Sequence, residues 1–222
     1  MKLYSYVVVS DVGFAPNPFH GYCTLATCKP VIRRVATVGD WVAGTGSQAH
    51  NRQHKLVYVM QISEVMSFGD YWSDRRFECK RPNWAGNEVQ KAGDNIYRPL
   101  NSGVTAAAFE QKASYHSNRD RSSNPNTMKH DTKTDRVLIS KRFWYWGGSG
   151  PDIPPAFLGI FSNWPTIRAL RNHRSQFPPK MLDAFVDWVH SFGHCGILGS
   201  PFDSIKNQAC PVLPMACVKR TS

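Results

Sequence analysis

Strands come first along this chain and helices last, an order that predicts an α+β fold rather than an alternating α/β one. Two observations carry the prediction. β-Branched and aromatic runs, read by a two-residue period, recur up to Trp146. Helical spacing takes over after Pro165.

The elements follow in order. Leu3 to Val9 is a β-branched and aromatic run and predicts a first strand. It looks like a signal peptide only superficially, since Asp11 closes a short apolar run with no small-residue cleavage site. "DVGFAPNPFHG" predicts a loop in which Pro16 and Pro18 hold Asn17 near an extended conformation. "YCTLATC" predicts a short second strand, and Asp40 sits in the turn before a third, "WVAG". "KLVYVMQISEV" predicts the strongest strand, with Leu56, Tyr58, Met60 and Ile62 on one face. Glu110 to Asp135 is polar, with scattered Lys112, Arg119, Arg121, Lys129, His130 and Lys133. A loop of that length is either functional or mobile.

"RVLISKRFWYW", Arg136 to Trp146, predicts a further strand with Phe143 and Tyr145 on one face and Trp144 and Trp146 on the other. "WPTIRALRNHRSQ" predicts a helix after Pro165 that puts Arg168, Arg171 and Arg174 on one broad face. "PPKMLDAFVDWVHSFG" predicts the clearest helix, with prolines at its start, Gly193 at its end and a Leu182, Phe185, Val186, Val189 stripe. The expected organisation is a core over residues 1–148, with a long basic loop at about 110–135, and a helical and irregular extension over 149–222 packed on it.

The 222 residues are 41% apolar, enough for a real core. Only 19% are charged, yet the net charge is +11, an imbalance that speaks of partners rather than fold. A polyanion is the usual reason, and nucleic acid the commonest one. No stretch approaches the roughly 18 apolar residues of a membrane span, so a soluble, cytoplasmic protein without a membrane partner is expected. Cys23 and Cys28 with His20 form at most a metal half-site, to be completed by His194 and Cys195 or by Cys210 and Cys217. No CxxC pair exists, and buried free thiols with no metal and no cofactor are expected.

The order of strand, Pro-rich loop, short strand, basic connection, Gly-Asp turn, strand and long strand resembles the PUA-like superfamily, which includes the ASCH, EVE and YTH domains. Thr24 to Cys28, Gly39-Asp40, Val42 to Gly44 and Leu56 to Val65 carry the likeness. It implies a partly open β-barrel that "VLISKRFWYW" closes. More narrowly, "DVGFAPNPFHGYCTLATCKPVIR", "VGDWVAGTGS" and "DNIYRPL" resemble the nucleotide modification associated domain, type two, a family placed near phage and bacterial DNA-modification genes. That likeness reaches about Gly148 and implies work on modified DNA, in a phage modification or defence setting. It supplies no reaction.

A modified base must leave its stack before it can be read, and then needs aromatic or apolar walls with a few donors and acceptors. The candidate walls are Thr24, Trp41, Gly44, Thr45, Gly46, Ser47, Tyr97, Phe143 and Tyr145. The glycines fit two roles equally, a bare pocket wall or a hairpin corner. The candidate catalytic residues are Asp11, Asn17, Lys29 and Asp94, of which Asp11 and Asp94 each adjoin a dense motif. Asp40 and Asp70 read as turn residues.

In N-glycosidic cleavage Asp11 stabilises the sugar cation, while Asn17, Thr24 or Lys29 donates to the leaving base. Alternatively a base substituent is altered, with Lys29 or Asp94 as base. The remaining readings are a non-catalytic reader of modified bases and an RNA-modification factor. Some ASCH enzymes use a Thr and a Lys near the matching strand in amide hydrolysis. Here Thr24 and Lys29 come in reversed order and at wider spacing, and a phosphate contact is the plainer role for Lys29. Arg33, Arg34, Arg168, Arg171 and Arg174 are the expected phosphate contacts.

Overall fold

The computed structural model describes residues 1–100, 109–169 and 172–203; Arg171, Cys210 and Cys217 lie outside them. The first half carries β1 (Leu3–Val8), β2 (Cys23–Leu25), α1 (Pro30–Val35), β3 (Trp41–Gly46), β4 (Leu56–Gln61) and β5 (Glu64–Met66). Then come α2 (Phe68–Ser73), α3 (Glu88–Lys91), β6 (Tyr97–Pro99), β7 (Phe109–Gln111) and α4 (Pro125–Asp131). β8 (Val137–Ser140), β9 (Arg142–Tyr145), α5 (Pro179–His190) and β10 (Gly196–Ile197) complete an α+β fold richer in strands than in helices.

Two long runs predicted as single strands each bend once. β4 pairs antiparallel with β9, Tyr58 facing Tyr145, and β5 pairs with β8, Glu64 facing Ile139. Ser140 stands at the bend, its hydroxyl donating to Gln61 O at 2.6 Å and accepting from Arg142 N at 3.1 Å. The bent ribbon joins a sheet of order β1-β3-β4-β9-β10 to one of order β2-β8-β5. β1 and β3 are parallel, so the chain between them must cross over, and that crossover carries β2 and α1.

The expected barrel is not formed: none of the described sheets closes, and β1 and β10 are edges of the larger one. The reason is that both faces of that sheet are apolar and each is covered, giving layers instead of a closed interior. One face lays Leu3, Trp41, Val59 and Trp144 under Met181, Phe185 and Val189 of α5. The other lays Tyr6, Val42, Tyr58 and Tyr145 against Leu25, Ile32 and Leu138. A third cluster, with Phe68, Phe77, Tyr97 and Ile139, lies on the smaller sheet.

Three local differences from expectation have physical causes. The basic connection after β2 is helical, with Pro30 in the first turn, where its missing N–H costs nothing. The register shifts between Gly44 and Thr45, which turns Leu56 toward α5 and away from Tyr58 and Met60. The helix expected after Pro165 is absent from the described residues. Ser5 and Arg174 instead exchange backbone hydrogen bonds of 2.9 and 2.8 Å, covering the edge of β1. Arg168 and Arg174 therefore share no helical face. α5 matches its prediction, with Gly193 in the left-handed region beyond it. No described helix is long and apolar enough to cross a membrane.

Candidate functional site

A cavity of about 730 Å3 opens between the end of β1, the start of α1 and side chains from the 115–133 segment. Tyr6, Phe14 and Ile32 are its buried wall, while Tyr115, His130 and Lys133 stand exposed at its rim. Lys29 Nζ lies 4.8 Å from the centre of the Tyr6 ring, a cation held over an aromatic face. Burial holds the Lys29 ammonium below its ordinary range. Burial, helped by Lys29, likewise lowers His173, which also lines the cavity.

The turn from β2 into α1 shapes one wall. Cys28 and Lys29 both have positive φ, +58° and +41°, a conformation that a side chain disfavours. Hydrogen bonds hold it in place. Cys28 N donates to Asp131 Oδ1 at 2.8 Å, and Arg33 Nε donates to Cys28 O at 2.8 Å. Cys28 Sγ then lies 3.4 Å from His116 Nε2. His116 Nδ1 is 2.6 Å from Asp131 Oδ2, which also accepts the Tyr97 hydroxyl at 2.7 Å. Arg33 reaches Asp131 O at 2.5 Å and Arg136 O at 2.7 Å, bracing the other strand of the arrangement.

Electrostatics follow from this geometry. Burial pulls the His116 imidazole down, but hydrogen bonds to Asp131 and Cys28 outweigh it and hold it up at about 10. Burial works against the Asp131 carboxylate too, yet the His116 hydrogen bond and charge keep it below the usual range. Cys28, His116 and Asp131 thus form a thiol–imidazole–carboxylate chain, an arrangement recognised by roles and geometry rather than by order in sequence. Their ligating atoms lie within 4.8 Å of one another. The three side chains are held to one another by hydrogen bonds. Asp131 Oδ1 accepts the Cys28 N–H, Oδ2 meets His116 Nδ1 and the Tyr97 hydroxyl, and Sγ and Nε2 face each other.

The structure separates most of the expected site residues from this cavity. Of the four expected catalytic residues, only Lys29 lines it. Asp11 is buried, its Oδ1 accepting the Tyr145 hydroxyl at 2.5 Å and its Oδ2 the Phe202 N–H at 3.2 Å. Asp94 accepts from Thr24 Oγ1 and the Tyr71 hydroxyl, each at 2.7 Å. Burial raises both carboxyls, with nearby Lys80 opposing at Asp94. Asn17 Oδ1 accepts from the fully buried Lys80 at 2.5 Å, and its Nδ2 donates to Ala92 O at 2.8 Å. Thr24, Asp94, Tyr71, Asn17 and Lys80 are therefore an enclosed polar network that satisfies its own members.

The expected base walls are equally occupied. Trp41 stacks on Trp144 under α5, with ring centres 6.2 Å apart. A Cβ at Gly44 would come within 2.6 Å of the Tyr58 ring, and Gly46 lies against the backbone of Arg52, so both glycines permit close packing. Thr45 Oγ1 donates to Tyr6 O at 3.3 Å, and Ser47 Oγ accepts from Ala49 N at 3.2 Å, capping a short 3-10 turn. Phe143 and Tyr145 are buried against the smaller sheet, Trp144 and Trp146 against α5, so the alternation holds while neither pair lines the cavity. Tyr97 stands behind Asp131. Arg33 is buried and braces the turn rather than meeting phosphate. Arg34 is exposed on α1, and Arg168 donates to Gln48 Oε1 at 3.1 Å.

Sequence reasoning missed Cys28, His116 and Asp131 as a set. Cys23 is buried and free, as expected, and Cys28 meets His116 rather than the His20 weighed as a half-site partner. Cys195 is disulfide-bonded, unlike the free thiol expected. The one available signal was the long polar stretch itself, which supplies His116 and Asp131.

A family model described as nucleotide modification associated domain 2 matches residues 1–208. The chain belongs to this family. The nucleotide modification associated domain here takes in every described element, from β1 to β10, and the whole cavity wall. Its name associates the chain with nucleotide modification. No curated protein and no solved structure matches the chain.

Proposed function

We propose that the cavity receives a nucleotide of modified DNA, its base extruded from the stack, and that the protein acts on a substituent of that base. The observation that carries this reading is the cavity's composition. Aromatic Tyr6, Phe14 and Tyr115 share it with Lys29 and Lys133. Flat apolar walls suit a base, and cations suit its phosphate. A volume near 730 Å3 is ample for one nucleotide.

Substituent chemistry is favoured over glycosidic cleavage by the lining, which holds no Asp or Glu among the described residues. Stabilising a sugar cation calls for a carboxylate facing the reaction centre. Asp11 and Asp94 are enclosed elsewhere.

The test is binding of single-stranded oligonucleotides with unmodified and hypermodified bases, followed by mass spectrometry of the nucleosides. Tighter binding of the modified strand is expected, weakened about tenfold by Lys29→Ala, the effect of losing one charged contact. A shifted nucleoside mass supports substituent chemistry. Release of free base points to cleavage, and binding without any product to a reader. Affinity indifferent to both base modification and Lys29→Ala sinks the proposal.

A further inference from the structure

We propose that Cys28 is a covalent nucleophile, with His116 as its proton-transfer partner and Asp131 as the positioning residue, and that the centre cleaves a carbonyl-linked substituent (amide or ester) carried on a nucleotide. The substrate class rests on the function proposed above; the nucleophile rests on geometry alone. Sγ to Nε2 is 3.4 Å and Nδ1 to Oδ2 is 2.6 Å, so one line of contacts runs from sulfur to carboxylate. All three members are fixed by hydrogen bonds from their neighbours. Asp131 Oδ1 accepts the Cys28 N–H, Tyr97 donates to Oδ2, and buried Arg33 ties the Cys28 and Asp131 carbonyls together. The strained φ at Cys28 is what turns its sulfur toward both His116 and the cavity. Cys28 and His116 line the cavity, while Asp131 stands behind them.

The chemistry balances without an oxidant or a cofactor. The reacting form is the Cys28 thiolate beside protonated His116: the thiolate forms an S–C bond at the carbonyl carbon, and the C–N or C–O bond breaks. The protonated His116 gives its Nε2 proton to the departing amine or alcohol. Water then adds to the thioester, its proton passing to Nε2, and the S–C bond breaks to release the carboxylic acid. Sulfur and imidazolium return to their starting states.

The full chain carries its own control, since Cys79 is an exposed free thiol that does not line the cavity and Cys23 is a buried one. Iodoacetamide labelling at neutral pH, resolved by site with mass spectrometry, should modify Cys28 at least about tenfold faster than the more exposed Cys79. His116→Gln should remove that advantage and leave Cys79 unchanged. Asp131→Asn should shift the pH profile of Cys28 labelling, an effect a purely structural role would not produce selectively. With p-nitrophenyl acetate as the acyl donor, an acid quench should trap an acetyl group on Cys28.

Wild-type data alone decide the matter if the variants fail to fold. Cys28 no faster than Cys79, together with no acetyl adduct, overturns the proposal. So does stoichiometric zinc in the purified protein that blocks Cys28 until a chelator removes it. Oligonucleotide binding on the same sample separates the two readings. Binding without Cys28 reactivity sinks only the nucleophile, and reactivity without nucleotide binding sinks only the substrate assignment.

Discussion

Asp131 holds three donors with two oxygens: the Cys28 N–H, His116 Nδ1 and the Tyr97 hydroxyl. Asp131→Ala leaves all three unpaired in a buried place, and a loss of about 3–5 kcal/mol is expected by denaturant titration. The partnership also has a pH signature. His116 titrates at about 10 in the fold, above its unfolded value of about 6.5. Its contribution is therefore complete below the unfolded value and disappears as pH rises through the folded one. The melting-temperature gap between wild type and His116→Gln should narrow as pH climbs from about 6 to about 10. A gap that stays constant over that range would show that the charged imidazole stabilises nothing. Gly44 makes a steric prediction. A methyl there meets the Tyr58 ring and Val8, so Gly44→Ala should cost about 1–3 kcal/mol by the same titration. None of the three relay residues could be paired from sequence, because 88 positions separate Cys28 from His116 and no spacing rule spans such a gap. The acids that did stand out, Asp11 and Asp94, are conspicuous by rarity, and rarity does not distinguish an enclosed carboxyl from an accessible one.

Elements were legible where local chemistry alone decides them. α5 carries two prolines, a closing glycine and an apolar stripe, and it forms where those signals place it. β1, β3, β4 and β9 follow their aromatic and β-branched runs, and each bend falls where the two-residue alternation breaks, at Ser63-Glu64 and Ser140-Lys141. The segment after Pro165 shows the opposite case. Its arginines recur every three residues, but β1 needs a backbone partner along its edge, and an extended Arg174 supplies one. Tertiary demand overrode a weak periodic signal. α5 also gives a clean test of layering, because it packs on the sheet face opposite the cavity. Phe185 is fully buried there. Phe185→Ala should lower stability by about 3–5 kcal/mol in urea. Cys28 labelling in the folded variant should stay at the wild-type rate, and a large change there would mean that the two faces are coupled.

At the scale of the whole molecule, the surplus of positive charge was plain from composition, but its location was not. Among the described residues Arg168 and Arg174 share no helical face, and Arg33 is internal. The described exposed cations instead gather partly on the polar segment that builds the cavity rim: Arg119, Arg121, Lys129 and Lys133 are exposed, and the same segment provides Tyr115 and His116. A chain expected to be either functional or mobile is braced within itself by Gln111–Thr127 and His116–Asp131 hydrogen bonds and tied to the site where Asp131 accepts the Cys28 N–H. If a nucleic-acid strand enters over this rim, its phosphates run past those side chains before a base reaches Tyr6. For a single strand, log affinity falls with log salt by about 0.7 per phosphate contact. Removing Lys129 and Lys133 together should make that slope shallower by about 1.4, whereas Arg168→Ala, whose guanidinium donates to Gln48 and does not line the cavity, should leave it unchanged. Anisotropy titrations across a salt series measure both slopes. An unaltered slope in the double variant, or a shift in the Arg168 variant, would send the strand over a different edge of the molecule and leave the rim without its role.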